Sequence, residues 1–312
     1  MQTIAFYNLE NLYDTEANTR NMDYTPTGAK QWTEERYQTK LDNLARVIAT
    51  IGSKDGPAII GLTEVENKKV IEDLLHTAPL RNKDYQIIHY ESEDPLGLDV
   101  ALLYKEKYFE PTAHKSIRID YNESNYSSKD ILQVKGSLMG DPVTIYVNHW
   151  PSDGGNERRG TRRKRAAATT LRKAIDAQLA TDPDANIIVM GDFDEEPRSS
   201  VLEKTLKATG SPNPSQKKSL FNTFYMAFVN GQGSFQKNSD PIMFDQIMIS
   251  KSFLNGENLE LVRGSPTIHK PDFIKYTFGK YKETPRSTFN GYTYIGGYSN
   301  HFPVYIKVQK VR

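Results

Sequence analysis

The sequence predicts an α+β fold in which two layers of β-sheet are covered by helices. Three observations carry this reading. Short apolar runs rich in β-branched and aromatic residues recur along the whole chain, among them Thr3-Ile4-Ala5-Phe6-Tyr7 and Ile187-Ile188-Val189-Met190. Helical periodicity is confined to a few segments. No low-complexity linker and no fixed-period repeat divides the 312 residues, so a single domain over residues 1–312 is expected.

The elements follow in order. The first run, residues 3–7, leads into Asn8-Leu9-Glu10. Residues 34–51 carry Leu41, Leu44, Ala45 and Ile48 on one stripe, with Thr33 placed to cap the start and Gly52 past the end. Ala58-Ile59-Ile60-Gly61-Leu62 leads into Thr63-Glu64-Val65-Glu66, and Gly97-Leu98-Asp99-Val100-Ala101 places an acid inside the start of a strand. Val143-Thr144-Ile145-Tyr146-Val147 leads into Asn148-His149-Trp150-Pro151. A second helix is expected over 161–180, with Leu171, Ala174, Ile175 and Leu179 inward and Asp182-Pro183 as its stop. Residues 187–190 run into Gly191, Asp192 and Asp194, with Pro197 closing the turn. A short helix over 200–208 opens with Ser200 and Glu203 in capping-box spacing. Two late strands reverse the layout: Asp245-Gln246 precede Ile247-Met248-Ile249, and Ser299-Asn300-His301 precede Phe302-Pro303-Val304-Tyr305. Polar stretches at 14–32, 211–243 and 264–298 are too long for simple connections and are expected to wall a cleft.

Composition narrows the function classes. Hydrophobic residues make up a modest 37%, to which 18 Tyr and 13 Phe add large buried area per residue. Forty basic against 39 acidic residues give a net charge of +1, so any polyanion must be held by a local patch rather than by a global field. The absence of Cys excludes disulfides, thiolate zinc sites and cysteine nucleophiles. No apolar run approaches the roughly 18 residues of a membrane helix. The first strand begins near Thr3, which predicts a protein that is either cytoplasmic or exported and supplied without its leader. A monomer is expected.

Strands sharing one sheet edge would gather Asn8, Glu10, Glu64, Asp99, His149, Asp192, Asp194, Asp245, Asn300 and His301. Carboxylates at the mouth of a sheet suit a hard cation or a proton transfer. The series YNLEN, GLTEVEN, GLDVALLY, VNHWPS, GDFDEEP, FDQIMIS and YSNHFPVY resembles the endonuclease/exonuclease/phosphatase superfamily, in order and spacing from residue 3 to residue 308. The segment WTEERYQTKLDNLARVI and the tail GGYSNHFPVY look most like a bacterial subgroup of it. The resemblance implies the DNase I-like four-layer α/β/β/α sandwich, with mostly antiparallel sheets, and a divalent-metal-dependent phosphoesterase. A nuclease or phosphodiesterase leads. A phosphatase or phospholipase on inositol phosphates or phospholipid headgroups is the alternative, and a non-catalytic phosphate-binding protein the third reading.

Roles follow from chemistry and resemblance together. Glu64 is the expected ligand of Mg2+ or Mn2+, with Ca2+ a further candidate, beside Glu10 and the orienting amide of Asn8. Asp99 would pair with His149, and Asp245 with His301, which resembles the family histidine tied to activating water. The other histidines, His76, His89, His114 and His269, read as surface or packing residues. Two positions depart from the family pattern: Asp194 stands where asparagine is usual, and Asn300 where aspartate is usual. Asp194 would then take over cation binding that Asn300 cannot supply, with Asn300 as a weakened ligand or a substrate contact. The run Arg158–Arg165 opens the predicted helix, where an anion could offset the charge opposing the helix dipole. Arg162 and Arg165 are the expected phosphate contacts, with Asn148 beside them; the partner is a phosphate ester, nucleic acid included.

Overall fold

In the strand Ile187–Asp192, Ile188 and Met190 enter one buried layer while Ile187 and Val189 enter another. This is the period-2 pattern of a strand covered on both faces. The computed structural model describes all residues except 17–19, 153, 212–217, 239 and 312, so parts of the polar stretches at 14–32 and 211–243 lie outside the described residues.

In chain order the strands are β1 (Gln2–Leu12), β2 (Ile59–Val65), β3 (Tyr85–His89), β4 (Asp99–Lys105), β5 (Phe109–Ile117), β6 (Ile131–Leu138), β7 (Asp141–His149), β8 (Ile187–Asp192) and β9 (Ala208–Thr209). They continue with β10 (Leu220–Asn222), β11 (Phe235–Lys237), β12 (Asp240–Ile242), β13 (Asp245–Ile249), β14 (Leu259–Leu261), β15 (Thr267–Ile268), β16 (Phe289–Asn290), β17 (Thr293–Tyr294) and β18 (Val304–Lys310). One seven-stranded sheet orders β14-β18-β1-β2-β4-β3, with β15 also on β18; the other orders β5-β6-β7-β8-β13-β10-β9. Within the two sheets only β1–β2, β7–β8 and β9–β10 pair in parallel. Two small hairpins, β11–β12 and β16–β17, stand apart from them.

The helices are α1 (Glu34–Ile48), α2 (Lys68–His76), α3 (Glu157–Thr181) and the short α4 (Tyr225–Val229). Thr33 caps α1, its side chain accepting from Arg36 N, and Leu41, Leu44, Ala45 and Ile48 are buried as their spacing requires. Helix α3 starts four residues earlier than the sequence suggested, because Asn156 Oδ1 accepts from Arg159 N at 3.0 Å and caps it there. Its apolar side, Ala167, Ala168, Leu171, Ile175 and Leu179, covers Tyr146, Ile187 and Val189. The expected capping box at Ser200 does not form. Ser200 is itself helical, and Ser199 Oγ accepts from Leu202 N at the head of a wide π-type turn over Val201–Leu206. Helix α2 went unrecognised in the sequence, although Asn67 caps it by accepting from Val70 N. None of the described helices is long and apolar enough to cross a membrane.

The inner faces of the two sheets share one core containing Ile4, Phe6, Ile59 and Leu102 from one side and Val147, Ile188, Met190 and Ile247 from the other. Gly61 in β2 permits a close approach: a Cβ there would stand 2.5 Å from Met190 Sδ and 3.1 Å from Val147 Cγ1. Gly61→Val should therefore destabilise the protein by about 1–3 kcal/mol despite the β-preference of valine, because overpacking pushes the sheets apart. A urea midpoint equal to that of the wild type would contradict this packing.

Candidate active site

The register of the second sheet sets His149 of β7 beside Asp192 of β8, and Asp192 opposite Asp245 of β13. In the first sheet Asn8 pairs with Thr63, one residue before Glu64. Asn8 joins the two groups. Its Nδ2 donates to Glu64 Oε1 at 2.9 Å and to Asp192 Oδ2 at 2.9 Å, while its Oδ1 accepts from Glu10 N at 2.9 Å. Glu64 sits at a bulge, since the pairing of β2 with β4 skips from Thr63 to Val65. Its φ of +63° is left-handed, as are those of Glu10 (+53°), Asn11 (+57°) and Asp194 (+45°). Such conformations cost about 1–3 kcal/mol each and persist only where surroundings impose them. Here Asn11 N donates to Glu64 Oε2 at 2.8 Å, which fixes the carboxylate.

His301 Nδ1 lies 2.7 Å from Asp245 Oδ2, and its Nε2 lies 3.8 Å from Asp192 Oδ2. Burial disfavours the charged ring, but Asp245 and Asp192 outweigh it and raise the His301 pKa to about 10. Burial and the charge of Asp245 in turn raise the pKa of Asp192, whose oxygens accept from Asn8 Nδ2 and Asp194 N. His149 behaves in the opposite way. Burial, aided by Lys129 and His301, lowers its pKa well below 6.5, so its ring is neutral at pH 7. Its Nε2 is 3.8 Å from Glu64 Oε1, and its Nδ1 has no hydrogen-bond partner. The side chains of Glu64 and His149 are 17% and 12% exposed, whereas that of Asp245 is fully buried, so a ligand entering from solvent meets Glu64 and His149 first.

Other expected members are placed differently. Asp99 does not serve His149: its Oδ1 accepts from Ser92 N and Oγ, and its Oδ2 is 3.6 Å from His89 Nε2, beyond a hydrogen bond. Glu10 turns from the cluster, because its carboxylate accepts from Thr288 N and Phe289 N and lies 3.9 Å from the buried Lys40 Nζ. Asn148 is fully buried and holds strands together, donating to Met190 O and accepting from Trp150 Nε1. Arg162 is bonded to Glu123, which Arg163 also grips, while Arg165 is exposed. From this basic run it is Lys164 that reaches the site: its Nζ is 3.1 Å from Asp194 Oδ2, 3.0 Å from Asp194 O and 3.0 Å from Glu195 Oε1. The extra carboxylate at 194 is thus balanced by a lysine. Asn300 lines a neighbouring cavity with its Oδ1 buried and unpartnered. Lys164 was legible, since it falls on the same stripe as Ala168, Leu171 and Ile175, and Lys40 likewise on that of Leu41 and Leu44. A cation on an apolar stripe signals a buried acid opposite.

Among the described residues, Asp192, Asp245 and His301 offer ligand atoms within 4.8 Å of one another, and this group could hold a metal. The buried Asp245 Oδ1, which has no hydrogen-bond partner, fits that reading.

The fold has known counterparts. The chain superposes on the human Nocturnin catalytic domain with bound sulfate at TM-score 0.59 and 17% identity, covering 99% of this chain and 94% of that one. It matches D. rerio TDP2 complexed with single-strand DNA product at TM-score 0.58 and 12% identity, with 99% and 98% covered. An endonuclease/exonuclease/phosphatase family protein from Bacteroides thetaiotaomicron gives TM-score 0.59 and 15% identity, with 98% and 97% covered. No curated protein sequence matches the chain. The pattern of the Endonuclease/Exonuclease/phosphatase family runs through residues 3–310, every strand end that builds the site included, and the chain belongs to that family.

Proposed function

We propose that this chain hydrolyses phosphodiesters at the cluster of Asn8, Glu64, His149, Asp192, Asp245 and His301, with Mg2+ or Mn2+ as cofactor. The observation that carries the reading is the Asn8 amide, which holds one carboxylate of each sheet at 2.9 Å in a single pocket with a charged histidine. Phosphodiester hydrolysis requires an activated water, neutralised phosphate oxygens and a stabilised leaving oxygen. With a pKa near 10, His301 is protonated at neutral pH. It therefore acts as a donor to a phosphate oxygen rather than as the base, with Asp245 fixing its ring. Asp192 is the proton acceptor: its 3.8 Å separation from His301 Nε2 exceeds a hydrogen bond, yet one oxygen atom could touch both. Neutral His149, beside Glu64 at the mouth, donates to a phosphate oxygen or the leaving oxygen. Lys164 holds Asp194 in its left-handed turn, so that the Asp194 amide keeps Asp192 oriented. Carboxylates suit a hard cation. Glu64 at the rim would hold the ion, which would supply charge neutralisation at the phosphate. The single-strand DNA product bound to D. rerio TDP2 accords with a nucleic acid substrate.

Bis-para-nitrophenyl phosphate should be hydrolysed in Mg2+ or Mn2+ and not in EDTA. Glu64→Gln should abolish this turnover, and His149→Ala and His301→Ala should each lower kcat by about 10²–10⁴-fold. Near-wild-type rates in all three would refute the assignment. A second test follows from protonation. In metal-free protein the His301 ring should titrate near pH 10, and His149 should stay neutral to well below 6.5. A raised pKa stabilises the fold fully below the unfolded value of about 6.5 and ceases to do so as pH climbs through 10. Urea midpoints in EDTA should therefore fall between pH 7 and 10, less so in His301→Ala. A ring titration near 6.5 by NMR would remove the charged-donor role.

A further inference from the structure

The hairpin β11 and the segment from Tyr276 to Asn290 enclose a cavity of about 450 Å³ that ends on Asn300, the residue before His301. That size lies within the range of small-molecule sites. It shares a wall with the active site. The Phe235 ring lines the cavity and also packs on the His301 imidazole, with centroids 4.7 Å apart. Behind it Phe244 stacks on Phe235 at 5.5 Å and 22°, so the wall is rigid. Across the cavity Tyr276 and Tyr281 present rings 5.9 Å apart at 44°, and Lys280 Nζ lies 5.6 Å from the Tyr281 centroid. Tyr281 is 48% exposed.

Between the rings the lining is polar. Gln236, Asn238 and Asn290 contribute amides, while Asn300 Oδ1 is sealed away from solvent. An acyl chain here would leave these amides unpaired at a cost. A planar heteroaromatic ring satisfies both kinds of surface, because its face stacks and its edge exchanges hydrogen bonds. Resting on the phosphodiesterase reading above, we propose that this cavity is a subsite for an unpaired nucleobase. The base belongs to the nucleotide flanking the scissile phosphate. Tyr276 and Tyr281 supply the stacking faces, and the lining amides of Gln236, Asn238 and Asn290 exchange hydrogen bonds with the edge of the base.

The test is equilibrium binding of the full chain, in EDTA so that no turnover occurs, to a short fluorescent single-stranded DNA and to the same strand with abasic residues. Base stacking of about 1–3 kcal/mol predicts that wild type binds the intact strand about 5- to 150-fold tighter. Tyr281→Ala should lose most of this preference and Tyr281→Phe should keep it, since the ring, not the hydroxyl, does the stacking. Asn290→Leu should weaken intact-strand binding and leave abasic-strand binding unmoved. Equal affinity of wild type for the two strands overturns the subsite. So does binding to phosphatidylglycerol vesicles without preference for the intact strand. Bis-para-nitrophenyl phosphate hydrolysis separates the two failures. If the diester is cleaved but bases are ignored, only the subsite falls; if bases are preferred but no diester is cleaved, only the hydrolase reading does.

Discussion

The Asn8 side chain is the element on which the site depends. It is fully buried, and its amide nitrogen is committed to one carboxylate from each sheet. Without that donor, Glu64 and Asp192 would face each other across a poorly solvated gap, where like charges repel strongly. The Asn8 oxygen completes the arrangement by holding Glu10 N, which begins the left-handed turn through Glu10 and Asn11. That turn delivers Asn11 N to the second oxygen of Glu64. One neutral residue thus orders two acids and the backbone that orients them.

Charge compensation extends the same logic outward. Asp245 and Asp192 are answered by His301, Asp194 and Glu195 by Lys164, and Glu10 by Lys40. Each cation arises from a different part of the chain, so the acids become tolerable only once distant segments have docked. Lys40 shows the consequence. Burial lowers its pKa to about 8, and it ties α1 to the loop over 288–298 through Thr288 Oγ1 and Tyr298 O. The wall of the cleft is therefore anchored by the same network that arranges its floor.

Positions 194 and 300 lie in different surroundings. Asp194 meets Lys164 from α3, and Asn300 faces the aromatic cavity. The left-handed conformation of Asp194 aims its backbone amide at Asp192 Oδ1.

Much was determined by the sequence alone. Period-2 apolar runs ending in acids and amides specified the strands and the end of the sheets where chemistry gathers, because side-chain alternation and turn punctuation are local properties. On that basis Asn8, Glu64, Asp192, Asp245 and His301 were placed at one sheet edge, while the pairing of His301 with Asp245 followed from the family resemblance. The partners of His149, Asp99 and Glu10 were not. Whether Asp99 turns to His149 or to Ser92 and His89 depends on the loop over 91–98, and the orientation of Glu10 depends on Thr288 and Phe289, nearly the length of the chain away. Strand order sets which residues are near. Rotamers, bulges and long-range backbone donors decide which of them touch, and those are fixed only when both sheets and their covering loops have packed.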